Sequence, residues 1–395
     1  MRVLFLAHKP PFPLQDGYNL HNYHHVRELS GRHEFHLVAI GAEPAPRELT
    51  ALFESIHLVP AAEPRRANPV ARALRSFSAH EVFEFDPRVL ERIESLRPAE
   101  FDVVWTGGIK MLVYSHRLHG APVLGDVADD ETGPARTRLA NSRGPVEFLR
   151  NLRDLAKITR YQRLFFEHLD VCTVVAEGDR DAIARLNPNL DVRVVANGVD
   201  HEFFAPRAEP EEDRTVVFEG NMGFEPNVEG VLYFAREVLP LVLRAEPRAK
   251  LYVVGKDPAP AVRALQGASV HVTGVVDDVR PYLARGSIFV CPLVSGTGIK
   301  NKILQAWSMA KCVVATSKSC GGLVLEPGRN LVVADGAAEL ARTIVELFGD
   351  PERRRALGAR ARETVLEHYT WARKSAQMEA ALVAAAGARR KRSGA

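Results

Sequence analysis

The chain has 395 residues, 46% of them hydrophobic and 26% charged, which suits a folded globular protein and excludes a largely disordered one. At roughly 150 residues per domain, the length accommodates two to three domains with separate cores. Lys and Arg exceed Asp and Glu by only 52 − 49 = 3, too small a surplus for a protein organised around nucleic-acid phosphates.

Cys172, Cys291, Cys312 and Cys320 form no CxxC pair and no Cys/His zinc spacing. They read as buried thiols of a reducing compartment. No segment reaches the ~18 apolar residues of a membrane helix, and the run Met1–Ala7 is too short for a signal peptide. A cytoplasmic protein is expected.

Short apolar runs alternate with helical patterns. Val3–Ala7 reads as a strand. Leu20, Tyr23, Val26 and Leu29 then repeat at helical spacing, with Gly31 as the cap. Strands follow at Phe35–Ile40, Val103–Trp105, Val123–Leu124, Val171–Val175 and Val192–Val195. This rhythm predicts an α/β fold with a doubly wound parallel sheet. It restarts with strands at Val216–Phe218, Leu251–Val254, Val270–Val272, Ile288–Cys291, Val313–Ala315 and Leu331–Val333. Pro226 opens a helix whose face carries Val228, Val231, Ala235, Val238 and Val242. The polar stretch Arg207–Asp213 reads as a linker, so the boundary falls within 197–213. Two similar α/β domains result, with a ligand expected beyond the carboxyl ends of their strands.

The most informative stretch runs from Cys291 to Trp307. A buried strand gives way to the turn Ser295-Gly296-Thr297-Gly298 and then to a helix, with Lys300 one turn inside. Glycines there let a ligand approach the backbone, and a helix start favours an anion. Phosphate binding and a bare structural turn both remain open from these residues. The third glycine of GxGxxG is missing, and no GxxxxGK[ST] occurs, which disfavours nicotinamide enzymes and excludes P-loop NTPases. His21, His24 and His25 lie on the first helix without the carboxylate of HExxH, so they read as surface or cleft-lining and no metal site is expected. His8 ends the first strand at the expected cleft edge. Asp126, followed by Asp129, Asp130 and Glu131, comes just after another strand. Both are candidate catalytic residues. Asp179-Arg180-Asp181 has the DxD form of metal-dependent sugar transferases, but Asp179 reads as a helix cap.

Five segments together resemble retaining glycosyltransferases of family 4, which have the GT-B fold. They are Val195–Phe204, Phe218–Asn227, Tyr252–Lys256, Val272–Val276 and Gly296–Lys302. The resemblance covers almost the whole chain and is nearest to sugar transferases of exopolysaccharide export systems. It implies two doubly wound Rossmann-like domains facing across a cleft: 1–197 on the acceptor side, with the helix 371–387 packing back on it, and 198–370 binding the nucleotide sugar. Residues 388–395 would form a basic disordered tail. It also implies transfer of a sugar with retention, in the manner of a hexosyltransferase. The nucleotide-diphosphate sugar would be co-substrate, and neither cofactor nor metal would be needed. Donor contacts would come from Gly17, Asn221, Lys256, Val275, Thr297, Gly298, Ile299, Lys300 and Gln305. The acceptor would be a sugar, a lipid-linked molecule or a natural product. The basic segment from Arg136 to Arg163 and the tail Arg389–Arg392 add peripheral contact with the inner membrane face as a further expectation.

Three departures stand out. The family's paired glutamates fall on Thr297 and Gln305. The loop Glu219–Asn227 lacks the family's Arg and Lys, and Asn221 stands near the Arg position. The Asp126 region stands where many members place a histidine. The alternative reading is a non-catalytic nucleotide-sugar-binding subunit of the same fold.

Overall fold

Seven strands, β1 (Arg2–Ala7), β2 (Glu34–Ile40), β3 (Ser55–Val59), β4 (Val103–Gly107), β5 (Val123–Ala128), β6 (Val171–Val174) and β7 (Asp191–Val194), form one sheet in the order β3-β2-β1-β4-β5-β6-β7. Every pairing in it is parallel. The central strands are buried on both faces, so they read as continuous apolar runs rather than alternating ones. The computed structural model describes residues 1–14, 16–61, 85–118, 120–296 and 298–393, with side chains as far as residue 388. Thr297 and the side chains of Arg389–Arg392 lie outside the described residues.

A second sheet holds β8 (Glu212–Glu219), β9 (Lys250–Val254), β10 (Val270–Gly274), β11 (Gly286–Cys291), β12 (Val313–Ala315) and β13 (Val332–Val333), again all parallel, in the order β10-β9-β8-β11-β12-β13. Each sheet reverses its strand order once, between β1 and β4 in the first and between β8 and β11 in the second. Such reversals open a crevice at the carboxyl ends, where open α/β sheets bind ligands.

The chain divides into two compact units, Met1–Ala196 with Lys374–Ala395, and Asn197–Arg373. In unit 1 the sheet carries a core on each face. One is built on Leu4, Leu6 and Val104 with Tyr161, Phe165 and Phe166 of the helix Pro145–Phe166. The other, built on Val3, Phe5 and Trp105, takes in Met378, Ala381, Leu382 and Ala385 of the helix Trp371–Ser393. In unit 2 Val216, Val217, Phe218, Ile288 and Phe289 are buried at the sheet centre. Among the described residues no helix is long and apolar enough to cross a membrane.

Several expectations change. β3 was not anticipated, because Ser55 and His57 break its apolar run; their side chains hydrogen-bond one another at 3.2 Å and stay half-buried. The first helix is capped by Ser30, whose N–H bonds Val26 O, and not by Gly31. The polar stretch before unit 2's sheet is not all linker. Glu212 and Asp213 belong to β8, where Glu212 pairs with Lys250 at 2.5 Å. The last helix runs to Ser393, so residues 388–393 continue it rather than forming a disordered tail; alanine, arginine and lysine all propagate helix well.

Candidate functional site

At the carboxyl edge of β8 and β11, three loops of unit 2 converge. Gly220 follows β8 at φ 152°, and Gly255 follows β9 at φ 141°. A Cβ on Gly255 would stand 1.8 Å from Gly220 O, so only glycine fits there. Met222 N donates to Lys256 O at 2.8 Å and Ala259 N to Met222 O at 3.1 Å, which joins the two loops. Asn221 is exposed, with its Oδ1 turned onto Gly223 N at 2.9 Å.

The third loop follows β11. Gly296 (φ 98°) and Gly298 (φ 71°) take the left-handed conformation that side chains resist. Ser295 donates to Glu229, and Thr316 Oγ1 donates to Leu293 O at 2.7 Å, which fixes the loop from both sides. The helix beyond it is Asn301–Ser308, and no side chain caps its first turn. Its open N–H groups and dipole favour an anion. Lys300 is the N-cap residue and does not stand one turn inside the helix; its Nζ donates to Gly298 O at 2.7 Å. Ile299 is buried, while Gln305 is half-buried and makes no side-chain hydrogen bond among the described residues.

Lys302 is the residue that sequence reasoning missed. Its Nζ donates to Asn227 Oδ1 at 2.7 Å and lies 4.2 Å from the centre of the Phe218 ring. It also stands 2.7 Å from where a Cβ of Gly220 would be. A cation therefore occupies the edge of β8, although the loop Glu219–Asn227 holds none. Desolvation pushes the Lys302 ammonium down and the Glu219 carboxyl up, each opposed by the other's charge. The signal was present in the pattern Lys300-Asn301-Lys302, but spacing alone does not show which lysine turns toward β8.

Beside this edge lies a depression of about 500 Å³, walled by Asp257, Pro258, Arg263, Gln266, Thr273 and Val275. Val275 is 74% exposed and follows Gly274, itself at φ 69°. Lys256 is half-buried and makes no ion pair among the described residues.

In unit 1 the corresponding reversal brings His8, after β1, beside Gly107 and Gly108, at the end of β4. The His8 ring packs on Tyr18 with centroids 4.1 Å apart, and its Nδ1 is buried without a partner among the described residues. Desolvation, with Lys110 and Lys9 nearby, pushes its pKa down to about 4, so the ring is neutral near pH 7. Tyr18 donates to Gly107 O at 3.1 Å. Gly17, the first residue of the helix Gly17–Leu29, is exposed; Asp16 caps that helix and pairs with Lys9 at 2.5 Å.

Asp126 is not an open edge carboxylate. It lies inside β5 at 3% exposure. It accepts from His21 Nε2 at 3.0 Å, Thr173 Oγ1 at 2.9 Å and Trp105 Nε1 at 3.4 Å. The histidines are likewise not surface groups. His21, His24 and His25 form the buried side of their helix, and His25 Nδ1 bonds Ser375 Oγ at 2.9 Å. Asp179 is not the cap of the helix Glu177–Leu186, whose N-cap residue is Ala176. It sits in the first turn and accepts from Asp130 N at 3.0 Å, a tie between that helix and the loop after β5 that the sequence does not reveal. Among the described residues no three metal-ligating side chains cluster.

Residues 213–350 match the family model described as Glycosyl transferases group 1. The chain is 30% identical over 247 residues to alpha-maltose-1-phosphate synthase of Mycolicibacterium smegmatis, a match that takes in 53% of this chain. It spans 62% of that relative's length. Among solved structures, sucrose-phosphate synthase from Thermosynechococcus elongatus superposes with a TM-score of 0.68 at 17% identity, over 96% of this chain and 97% of that one. HepE of Anabaena in complex with UDP gives a TM-score of 0.68 at 14% identity, over 97% of this chain and 100% of that one. The two-sheet architecture is thus the GT-B fold of these structures.

Proposed function

We propose that this protein is a glycosyltransferase that moves a sugar from a nucleoside-diphosphate donor to a small or lipid-linked acceptor. The observation that carries the reading is the edge of β8 and β11, where the helix Asn301–Ser308 begins without a side-chain cap and the Lys302 ammonium reaches Asn227 beside Gly220. That arrangement suits a diphosphate whose charge grows as the glycosidic bond breaks. The family match falls on the same unit, and a relative in fold is recorded with UDP.

In this reading the backbone at Gly298 and Ile299, with Thr297, cradles the diphosphate, and Lys300 and Lys302 neutralise it. Gln305 bonds the ribose, Val275 meets the base through its backbone with Lys256 beside it, and Asn221 lines the approach. In unit 1, Gly17 is the candidate donor contact and the neutral His8 the candidate catalytic group. Asp126 acts behind them as a positioning residue. We assign the protein to family 4, with retention of configuration and no metal, in exopolysaccharide or natural-product glycosylation. The four buried free cysteines suit a reducing cytoplasm. Gln305 in place of a glutamate favours the second reading, a binding subunit without turnover.

A thermal-shift series with UDP, GDP and dTDP, each beside its nucleoside, tests the site. At 100 times Kd, the matching diphosphate stabilises the fold by ~2.7 kcal/mol. Incubation of the matching nucleotide sugar with candidate acceptors then tests turnover, with and without EDTA. No shift with any diphosphate overturns the site, and a shift without sugar transfer selects the second reading.

A further inference from the structure

The surface of unit 1 carries a feature that donor binding does not use. The segment 132–166 holds eight Lys and Arg against Glu147 and Asp154, a net of 8 − 2 = +6. The whole chain carries +3, so everything outside this segment sums to 3 − 6 = −3. The two acids are met by Arg150 at 3.9 Å and Arg153 at 3.0 Å, whereas Arg160 and Arg163 make no ion pair among the described residues. A charge so concentrated sets up a local positive potential that the net value hides.

The same helix, Pro145–Phe166, exposes apolar side chains. Val146 is 82% exposed, Leu149 64%, Phe148 46% and Leu152 43%. At 100° per residue, Leu149, Leu152 and Val146 share the outward face with Arg153, Arg160 and Arg163. The opposite face is fully engaged. Ile158, Phe165 and Phe166 lie in the core, Tyr161 donates to Ile109 O at 2.8 Å, and Gln162 Nε2 donates to Asp130 Oδ1 at 3.0 Å. The exposed leucines are therefore not a misplaced core face.

We infer that this outward face docks on an anionic lipid bilayer. Leucines interleaved with arginines suit the headgroup boundary, where apolar side chains insert and long cationic ones reach back to phosphate. An acidic protein surface would match the charge but leave the leucines without purpose. The inference does not depend on glycosyl transfer. Its bearing on that reaction is that the inward face of this helix bonds Asp130, just past the end of β5, so a lipid-linked acceptor would be met close to unit 1's carboxyl edge.

The full chain is mixed with vesicles of phosphatidylcholine alone, or with 30% phosphatidylglycerol, and sedimented at low and at high salt. Binding is expected only to the anionic vesicles and is expected to fall steeply with salt. The triple variant Arg153→Glu, Arg160→Glu, Arg163→Glu should weaken partitioning by on the order of 100-fold. Leu149→Ser with Leu152→Ser should weaken it by roughly 3- to 10-fold. Circular dichroism confirms that each variant is folded, which such exposed positions permit. Absence of binding, equal binding to both vesicles, or binding to polyglutamate alone overturns the proposal. So does binding that survives the helix substitutions and disappears when residues 389–395 are removed. Because no nucleotide is present, this outcome is independent of the donor site.

Discussion

Both sheets carry ionisable groups near the carboxyl ends of their central strands, yet they treat them in opposite ways. In unit 1 Asp126 is closed in by an imidazole, an indole and a hydroxyl, and the neighbouring His25 is tied to Ser375 of the last helix. In unit 2 Lys256, just past β9, and Gln305, inside the helix Asn301–Ser308, have no side-chain partner among the described residues, near loops whose glycines take positive φ. A buried carboxylate with its acceptor sites filled orders the fold around it. Polar groups left at a strand edge beside an uncapped helix are available to a ligand. The contrast separates a carboxylate that ties the sheet together from polar side chains left without a protein partner among the described residues.

The severest way to break this contrast is Asp126→Ala. It leaves three buried donors facing a void and is expected to cost ~3–5 kcal/mol in urea unfolding. The nucleoside-diphosphate affinity of the protein that remains folded should be unchanged. A variant as stable as the parent would show that the network is not closed. Lys302→Met tests the other side. Removing one charge-assisted contact should weaken diphosphate binding by ~1.5–3 kcal/mol in calorimetry, with nucleoside binding nearly constant. Equal losses for both ligands would remove Lys302 from the phosphate site.

The smallest effect is in pH. His8 is held at about 4 and His25 well below its usual 6.5, each mainly by desolvation. Between about 4 and 6.5 the unfolded chain therefore binds protons that the folded chain refuses. Stability is complete above about 6.5 and falls as the pH drops through that window. His8→Gln should flatten the slope by on the order of 1 kcal/mol, since partial exposure weakens the effect. An unchanged slope in melting curves between pH 5 and 7.5 would place His8 in a wetter environment than its packing on Tyr18 indicates.

Strand positions were legible because parallel strands buried on both faces show as unbroken runs such as Val-Leu-Phe-Leu-Ala and Ile-Phe-Val-Cys. β3 was not, because its serine and histidine, two residues apart on one face of the strand, bond each other, a pairing invisible before folding. The glycine turn before Asn301 was legible as a turn. That Lys302 and not the loop after β8 supplies the cation there was not, since it depends on the helix reaching back to Gly220. Asp126 was misplaced by only a few residues along its strand. That offset decides everything, because a carboxylate inside the sheet meets Trp105 and Thr173, whereas one beyond it meets solvent.

The approach of Gly255 to Gly220 has a consequence for how this sequence can change. With 1.8 Å between the carbonyl of one and the missing Cβ of the other, the two positions form a single heritable unit despite the 34 residues between them. A chimera whose crossover falls before Gly220 or after Gly255 inherits both halves of the contact from one parent. A crossover between them joins loops from different parents, and any parent with a side chain at 255 would drive it into the partner's backbone. Exchange with a parent that lacks glycine at 255 therefore has to carry β8 and β9 together.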